Sequence, residues 1–277
     1  MNRLLAANFT RLKKDKVFWL GMLVMFVFGA YIIIRNYLDM QRDGTQIAPD
    51  DLLFGYTILV GIVAAVFCSL YLGTEYSDGT MRNKLIVGHT RPGIYLANLI
   101  VCISAGFLMV LAYLIPAIGL GMPLLGTFSA DGKIIVLTLL GSLIMVLALT
   151  AIFTLVSMLI QNKAFAAVVA IVGIFALLFA AISIANILNA PPTYEGYSFT
   201  NDSGVVQSGE TIPNPRYVSG TKREVYETVL EILPTGQALE YASMGAAHTW
   251  RMSLYSLAIT VITTGAGILV FRRKDIK

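Results

Sequence analysis

The residues best placed to do chemistry in this chain lie in the stretch Gly73-Thr74-Glu75-Tyr76-Ser77-Asp78-Gly79-Thr80-Met81-Arg82-Asn83-Lys84. It puts two acids and two bases between two long apolar runs. Asp78-Gly79 is a turn signal, and Thr80 is placed to N-cap a short helix that starts beside Met81 and Arg82. The chemistry of such a stretch is ion pairing and docking rather than bond making. A tight, charged helix-turn at a membrane face suits a soluble partner, and its composition equally fits a solvated loop between two spans.

Other stretches do not read as catalytic. Gly126…Gly132-Lys133-Ile134 has the wrong spacing for a nucleotide loop, and isoleucine stands where Ser or Thr must reach magnesium. His89 and His248 are isolated and fall on opposite sides of the membrane in the topology derived below, so no metal site is expected. No Ser/His/Asp arrangement stands out. Cys68 and Cys102 both lie in apolar runs and read as small buried hydrophobes. The chain is expected to be non-catalytic, to bind no cofactor or metal itself, and to have no nucleic-acid partner.

The elements that hold the polar stretch are set by hydropathy. Of 277 residues, 57% are apolar and 13% charged, with a mean hydropathy of +0.75. A soluble domain carries about 25% charged residues, so this is a membrane protein. Six charge-free runs, at 17–34, 52–73, 93–120, 134–161, 164–189 and 252–271, are each near or above the roughly 20 helical residues that cross a bilayer. The reading is all-α, with six transmembrane helices in one transmembrane domain spanning 1–277. Pro116 is expected to kink or end the third span. Ala166/Ala170 and Ala176/Ala180 have the small-xxx-small spacing of closely packed helices.

Residues 1–16 read as an interfacial amphipathic helix rather than a signal peptide. Leu5, Phe9 and Leu12 form its apolar side, and Arg3, Arg11, Lys13, Lys14 and Lys16 face the headgroups of membrane lipid. With both termini cytoplasmic, thirteen of the 20 bases fall in the short inner segments and seven in the longer outer ones, as the positive-inside rule requires. The polar stretch then faces the cytoplasm, and residues 190–251 form a long extracellular loop. Its part from Pro191 to Asn214 reads as irregular. A helix follows from Lys222 with Val225, Val229 and Ile232 on one side, Pro234-Thr235-Gly236 breaks it, and Gln237–Ala247 restarts a second one that lies on or dips into the outer leaflet.

No charged residue lies within the spans, which argues against a proton-driven carrier. The uncharged polar residues there, including Asn98, Thr150, Thr154, Ser157 and Asn186, are candidates to line a substrate path, alongside ordinary helix-helix hydrogen bonding. Asn8-Phe9-Thr10 and Asn201-Asp202-Ser203 match the glycosylation sequon, a pattern common by chance.

The basic N-terminal helix, the six spans and the E-x-x-x-G-T-x-R element Glu75, Gly79, Thr80 and Arg82 together resemble the ABC-2 family of transporter permeases. The segments 214–223 and Leu233-Pro234-Thr235-Gly236-Gln237 look like that family's fifth-to-sixth-helix loop in Gram-positive bacteria. The resemblance implies an export permease of the type V fold in a bacterial plasma membrane. Two permease copies, identical or paralogous, would pair above two ATPase subunits that carry ATP and magnesium. By the same resemblance, residues 74–84 are the coupling helix, with Glu75 and Arg82 as charged docking contacts and Tyr76, Asp78 and Met81 beside them. Gly79 is the turn, Thr80 the cap, and the N-terminal helix the connecting helix. Two other functions fit the sequence: an ATPase-independent channel or sodium-coupled carrier, and a peptide-sensing or immunity subunit without net transport.

Overall fold

The computed structural model describes residues 1–44, 46–194, 198–200, 206–208 and 211–275. Among them, six helices are long and apolar enough to cross a membrane. A short helix, α1 (Asn2–Lys14), precedes the first span, α2 (Lys16–Asp43). Asp15 separates the two: its extended backbone ends α1, and its side chain accepts the Phe18 N–H at 2.9 Å to cap α2. The second span is α4 (Tyr56–Ser77), entered through the single turn α3 (Asp50–Leu53). After the short α5 (Thr80–Ile86) come the spans α6 (Arg91–Leu125), α7 (Gly132–Leu159) and α8 (Lys163–Leu188).

The turn between α7 and α8 is the three residues Ile160–Asn162, where the Asn162 side chain caps α8 through the Phe165 N–H at 3.1 Å. Pro116 does not end its helix. α6 runs through both Pro116 and Pro123 to Leu125, about 52 Å at 1.5 Å per residue. Membrane helices tolerate such prolines because neighbouring groups satisfy the freed carbonyls.

Burial sorts the spans into two groups. α4, α6 and α7 bury half or more of their apolar windows, while α2, α8 and the last span, α11 (Thr249–Arg273), bury less than a third. The outer helices lean on the inner ones: α2 on α6, α8 on α4 and α11 on α7. Their outward faces carry Phe26, Tyr31, Phe165, Phe179, Val261 and Ile262, as a lipid-facing surface requires. On α8 the stripe Ala166, Ala170, Ile174, Leu178 and Ala181 is buried. Of the two small-xxx-small pairs, Ala166/Ala170 makes the close contact and Ala176/Ala180 faces outward.

Between α8 and α11 lies a cap, and part of it departs from the sequence reading. The stretch from Pro191 to Asn214 is not wholly irregular: β1 (Thr193–Tyr194) pairs antiparallel with β4 (Ile212–Pro213), and β2 (Ser198–Thr200) with β3 (Val206–Ser208). The second sequon, at 201–203, lies outside the described residues. α9 (Thr221–Ile232) and α10 (Pro234–Ala242) follow, and Pro234 stands in the first turn of α10 rather than in a longer break. α10 does not lie on the surface. It is wedged between α4, α7 and α8, with Thr235, Gln237, Ala238 and Tyr241 buried.

Candidate functional site

The turn after α4 forms as its residues dictate. Gly79 adopts φ 66°, the left-handed region that a side chain disfavours, and it caps α5 itself. Thr80 is therefore the first residue of α5 and not its cap. Its hydroxyl donates instead to the Glu75 carbonyl at 3.0 Å and ties the turn back onto α4.

Glu75 is fully buried, which overturns its reading as an exposed docking contact. Its Oε1 pairs with the Arg11 guanidinium at 2.5 Å and with the Lys84 ammonium, and its Oε2 accepts from Asn98 Nδ2 at 2.9 Å. Asn98 Oδ1 accepts from Asn8 Nδ2 at 2.7 Å, and Asn8 Oδ1 accepts from Lys84 at 2.9 Å. A closed ring of hydrogen bonds thus joins α4, α6, α1 and α5 through Glu75, Asn98, Asn8 and Lys84. Arg11 extends it by donating to the Tyr71 carbonyl at 3.3 Å and lying 3.7 Å over the Tyr71 ring. The Tyr71 hydroxyl in turn donates to the Asn8 carbonyl at 2.9 Å.

Two cations against one carboxylate leave this ring with surplus positive charge. Burial pushes the Lys84 ammonium below the usual lysine range, against the opposing pull of Glu75. A buried pair of this kind specifies geometry more than it stabilises, because desolvation offsets much of the attraction. What the ring does is fix α5 and α1 to the base of the bundle.

The surface left outside the ring is apolar at its tip. Ile86 and Val87 are 72% and 76% exposed at the end of α5, with Arg82, Asn83 and Asp78 also exposed nearby. Met81 points the other way and is fully buried. Of the residues read from sequence as contacts, Arg82 and Asp78 are on the surface, while Glu75 and Met81 are not.

The second half of the same turn is fastened to the far end of the chain. Tyr76 donates its hydroxyl to the Met158 carbonyl of α7 at 2.6 Å. Lys274, just past α11, reaches the Tyr76 hydroxyl at 3.2 Å and the Met158 carbonyl at 2.9 Å, and its ammonium lies 4.4 Å from the Tyr76 ring centre. Burial pushes Lys274 down to about 8. Arg91, at the start of α6, donates to the Phe271 carbonyl at 3.1 Å and to that of Lys274.

The N-terminal helix turns a different face to the protein from the one its sequence suggested. Leu4, Asn8 and Leu12 are buried, Leu5 and Phe9 are half-buried, and Lys13 and Lys14 are exposed. Arg11 is drawn inward by Glu75 instead of joining the basic face. The signal for this was present: Asn8 sits between Leu4 and Leu12 at helical spacing, a polar residue in the middle of an apolar stripe.

The expected substrate path is not formed by this set within one chain. Asn98 belongs to the Glu75 ring, and Thr150, Thr154 and Ser157 are fully buried on α7. Thr150 and Ser157 donate to carbonyls one turn back on their own helix, Val146 and Phe153. Asn186 is exposed at the other end of the bundle, beside a cavity with Arg216 and Tyr226.

At that far end, α10 is held by neutral hydrogen bonds. Thr57 donates to the Ala238 carbonyl at 2.7 Å, and Thr235 to that of Leu177 at 2.9 Å. Gln237 donates to the Glu231 and Met252 carbonyls at 2.7 and 3.0 Å and accepts from Ser256 at 2.6 Å, so it links α9, α10 and α11. At the rim, His248 lies 3.0 Å and Arg251 3.7 Å from Glu231, and burial together with Glu231 and Glu227 pushes the Glu240 carboxyl up.

Comparison with known proteins agrees with this architecture. No curated protein matches the chain. The family described as ABC-2 family transporter protein matches residues 4–177, from α1 through most of α8. The match takes in the Glu75 ring with all four helices that build it, and the last span and the cap lie beyond it. On that match and its six apolar helices, the chain belongs to the ABC-2 transporter family, as a multi-pass membrane permease.

Proposed function

We propose that the chain is the membrane subunit of an ATP-driven exporter in a bacterial plasma membrane, with both termini cytoplasmic. It pairs with a second permease copy or paralogue above two ATPase subunits, which supply ATP, magnesium and all the hydrolytic chemistry. The chain itself is non-catalytic and binds no cofactor. Its substrate is an amphipathic peptide, drug or lipid-like molecule.

The observation that carries this reading is the tip of α5. Two large apolar residues, Ile86 and Val87, stand most exposed at the end of a polar turn beyond the apolar part of α4. Apolar side chains outside the lipid are suited to the centre of a protein interface, with charges such as Arg82 at its rim. The Glu75 ring makes this knob rigid, so a partner that moves it also moves α1, α4 and α6. ATP shifts the transporter only if the partner holds the knob differently in its open and closed states.

The test is co-purification in mild detergent with the ATPase subunits, followed by an ATPase assay. Ile86→Ser with Val87→Ser should weaken the association by about 10-fold or more, as loss of a central apolar contact does. Unchanged association in that double variant would remove the knob from the interface. A chain that purifies alone and passes ions or solutes in liposomes would point to a channel or carrier instead.

A further inference from the structure

α11 is fastened at both ends to parts of the protein that are far from each other. At one end, Lys274 and Arg91 bind the residues leaving α11 to Tyr76 on the knob-bearing turn, to α6 and to α7. The ring of Tyr95 on α6 also sits against Gly267, where a Cβ would lie 2.1 Å from the tyrosine hydroxyl. At the other end, Gln237 bonds Met252 and Ser256, and Glu231 faces His248 and Arg251. The 25 residues between make one helix of about 37 Å with no proline in it.

We propose that α11 is a strut between the knob and the cap, and that Lys274 is the positioning residue which engages it. The proposal rests on the reading of the α5 tip as the ATPase contact and adds how that contact reaches the outer side. A displacement of the α4–α5 turn carries Tyr76 with it. Through Lys274 it carries the inner end of α11, and the helix delivers the movement to Gln237 and the α9–α10 elbow. The chain side of this arrangement is specific. A lysine reaches Tyr76 and the Met158 carbonyl with one ammonium. A residue without donors at 274 removes the link to Tyr76, leaving the inner end of α11 held by its packing, by Arg91 and by Gln161, which donates to the Asp275 carbonyl at 2.6 Å.

The experiment uses the full chain with its ATPase subunits in lipid nanodiscs. Ala247→Cys, on the exposed link between α10 and α11, is labelled with a membrane-impermeant maleimide with and without ATP and vanadate. Cys68 and Cys102 are fully buried, which keeps the background low. In the parent, ATP and vanadate should change the labelling rate at position 247. Lys274→Met should shrink that change about threefold or more, in the range expected when a coupling element is disconnected. Lys274→Arg, which keeps a long cationic donor, should retain most of it.

An unchanged response in Lys274→Met overturns the strut. Equal loss in Lys274→Met and Lys274→Arg also overturns it, because it makes residue 274 a folding determinant and not a coupling one. Failure of the parent complex to form at all would instead sink the ATPase reading itself.

Discussion

The two ends of the bundle solve the same problem, holding a short helix rigidly against several spans, with opposite chemistry. At the α5 end, one buried carboxylate gathers two cations and two asparagines. At the α10 end, the buried bonds are neutral, from Thr57, Thr235, Gln237 and Ser256, and the charged groups stay at the rim. An ion cluster is costly to break, because any group removed strands a charge away from water. A set of neutral bonds is cheaper to rearrange. The α5 end should therefore resist rearrangement more than the α10 end does.

This contrast is broken most directly at Glu75. Glu75→Ala strands both Arg11 and Lys84 and should cost about 3–5 kcal/mol, seen as a large drop in apparent Tm in detergent. Lys84→Met leaves Arg11 to pair with the carboxylate and should cost well under half of that. Equal losses in the two variants would mean that Glu75 does not organise the ring.

Steric fit sharpens the comparison next. A Cβ at Gly236 would lie 2.2 Å from the Leu230 carbonyl oxygen, which belongs to the backbone of the α9–α10 elbow and has little room to yield. Gly236→Ala should cost about 1–3 kcal/mol with no simple rescue. At Gly267 a Cβ would meet the Tyr95 side chain alone among its three nearest atoms, 2.1 Å from the hydroxyl and 2.3 and 2.6 Å from the ring carbons Cζ and Cε2. Tyr95→Leu, which removes the ring, should therefore restore more of what Gly267→Ala loses than Tyr95→Phe, which keeps Cζ and Cε2, measured as the Tm of the double variants.

Gln237→Leu tests the neutral end and should cost about 1–3 kcal/mol, because it leaves the buried Ser256 hydroxyl without its acceptor. It should alter labelling at position 247 more than it alters Tm. A loss as large as that of Glu75→Ala would erase the contrast between the two ends.

The smallest effect is the pH response of Lys274. Its folded-state value of about 8 lies below its ordinary 10.5, so the folded protein releases this proton before the unfolded chain does. The penalty is fully present below pH 8 and fades as pH rises from there toward 10.5. Tyr76 from α4, Arg91 from α6 and the neighbouring Arg273 and Asp275 are the ionisable groups around it. Parent protein should gain apparent Tm relative to Lys274→Met between pH 7 and 9, and a relative loss would reverse the sign of this shift.

Several elements of this fold were legible before any coordinates. Charge-free runs mark all six spans, because a helix in lipid cannot leave polar side chains against hydrocarbon. Asp78-Gly79 marks the turn, because glycine accepts a positive φ without strain. The helix boundaries were less legible. α2 continues past Ile34 through Arg35 and Asp39, which pair at i,i+4 once the chain leaves the apolar layer. The cap was read only in outline: α9 and α10 follow the local pattern, whereas the burial of α10 does not.

What the sequence alone determined is whatever depends on local pattern: spans, short connections, the turn, the family element and the density of bases on one side. What only the tertiary structure decided is which polar groups meet. Glu75 finds Arg11, Lys84 and Asn98 on three other elements, and Lys274 finds Tyr76 some 198 residues away. Hydropathy reports whether a residue tolerates lipid and says nothing about its partner across the bundle. The same side chain can therefore read as an exposed contact and prove to be the buried anchor of the site. Glu75 changed roles for that reason, because burying a carboxylate requires cations that only folding brings within reach.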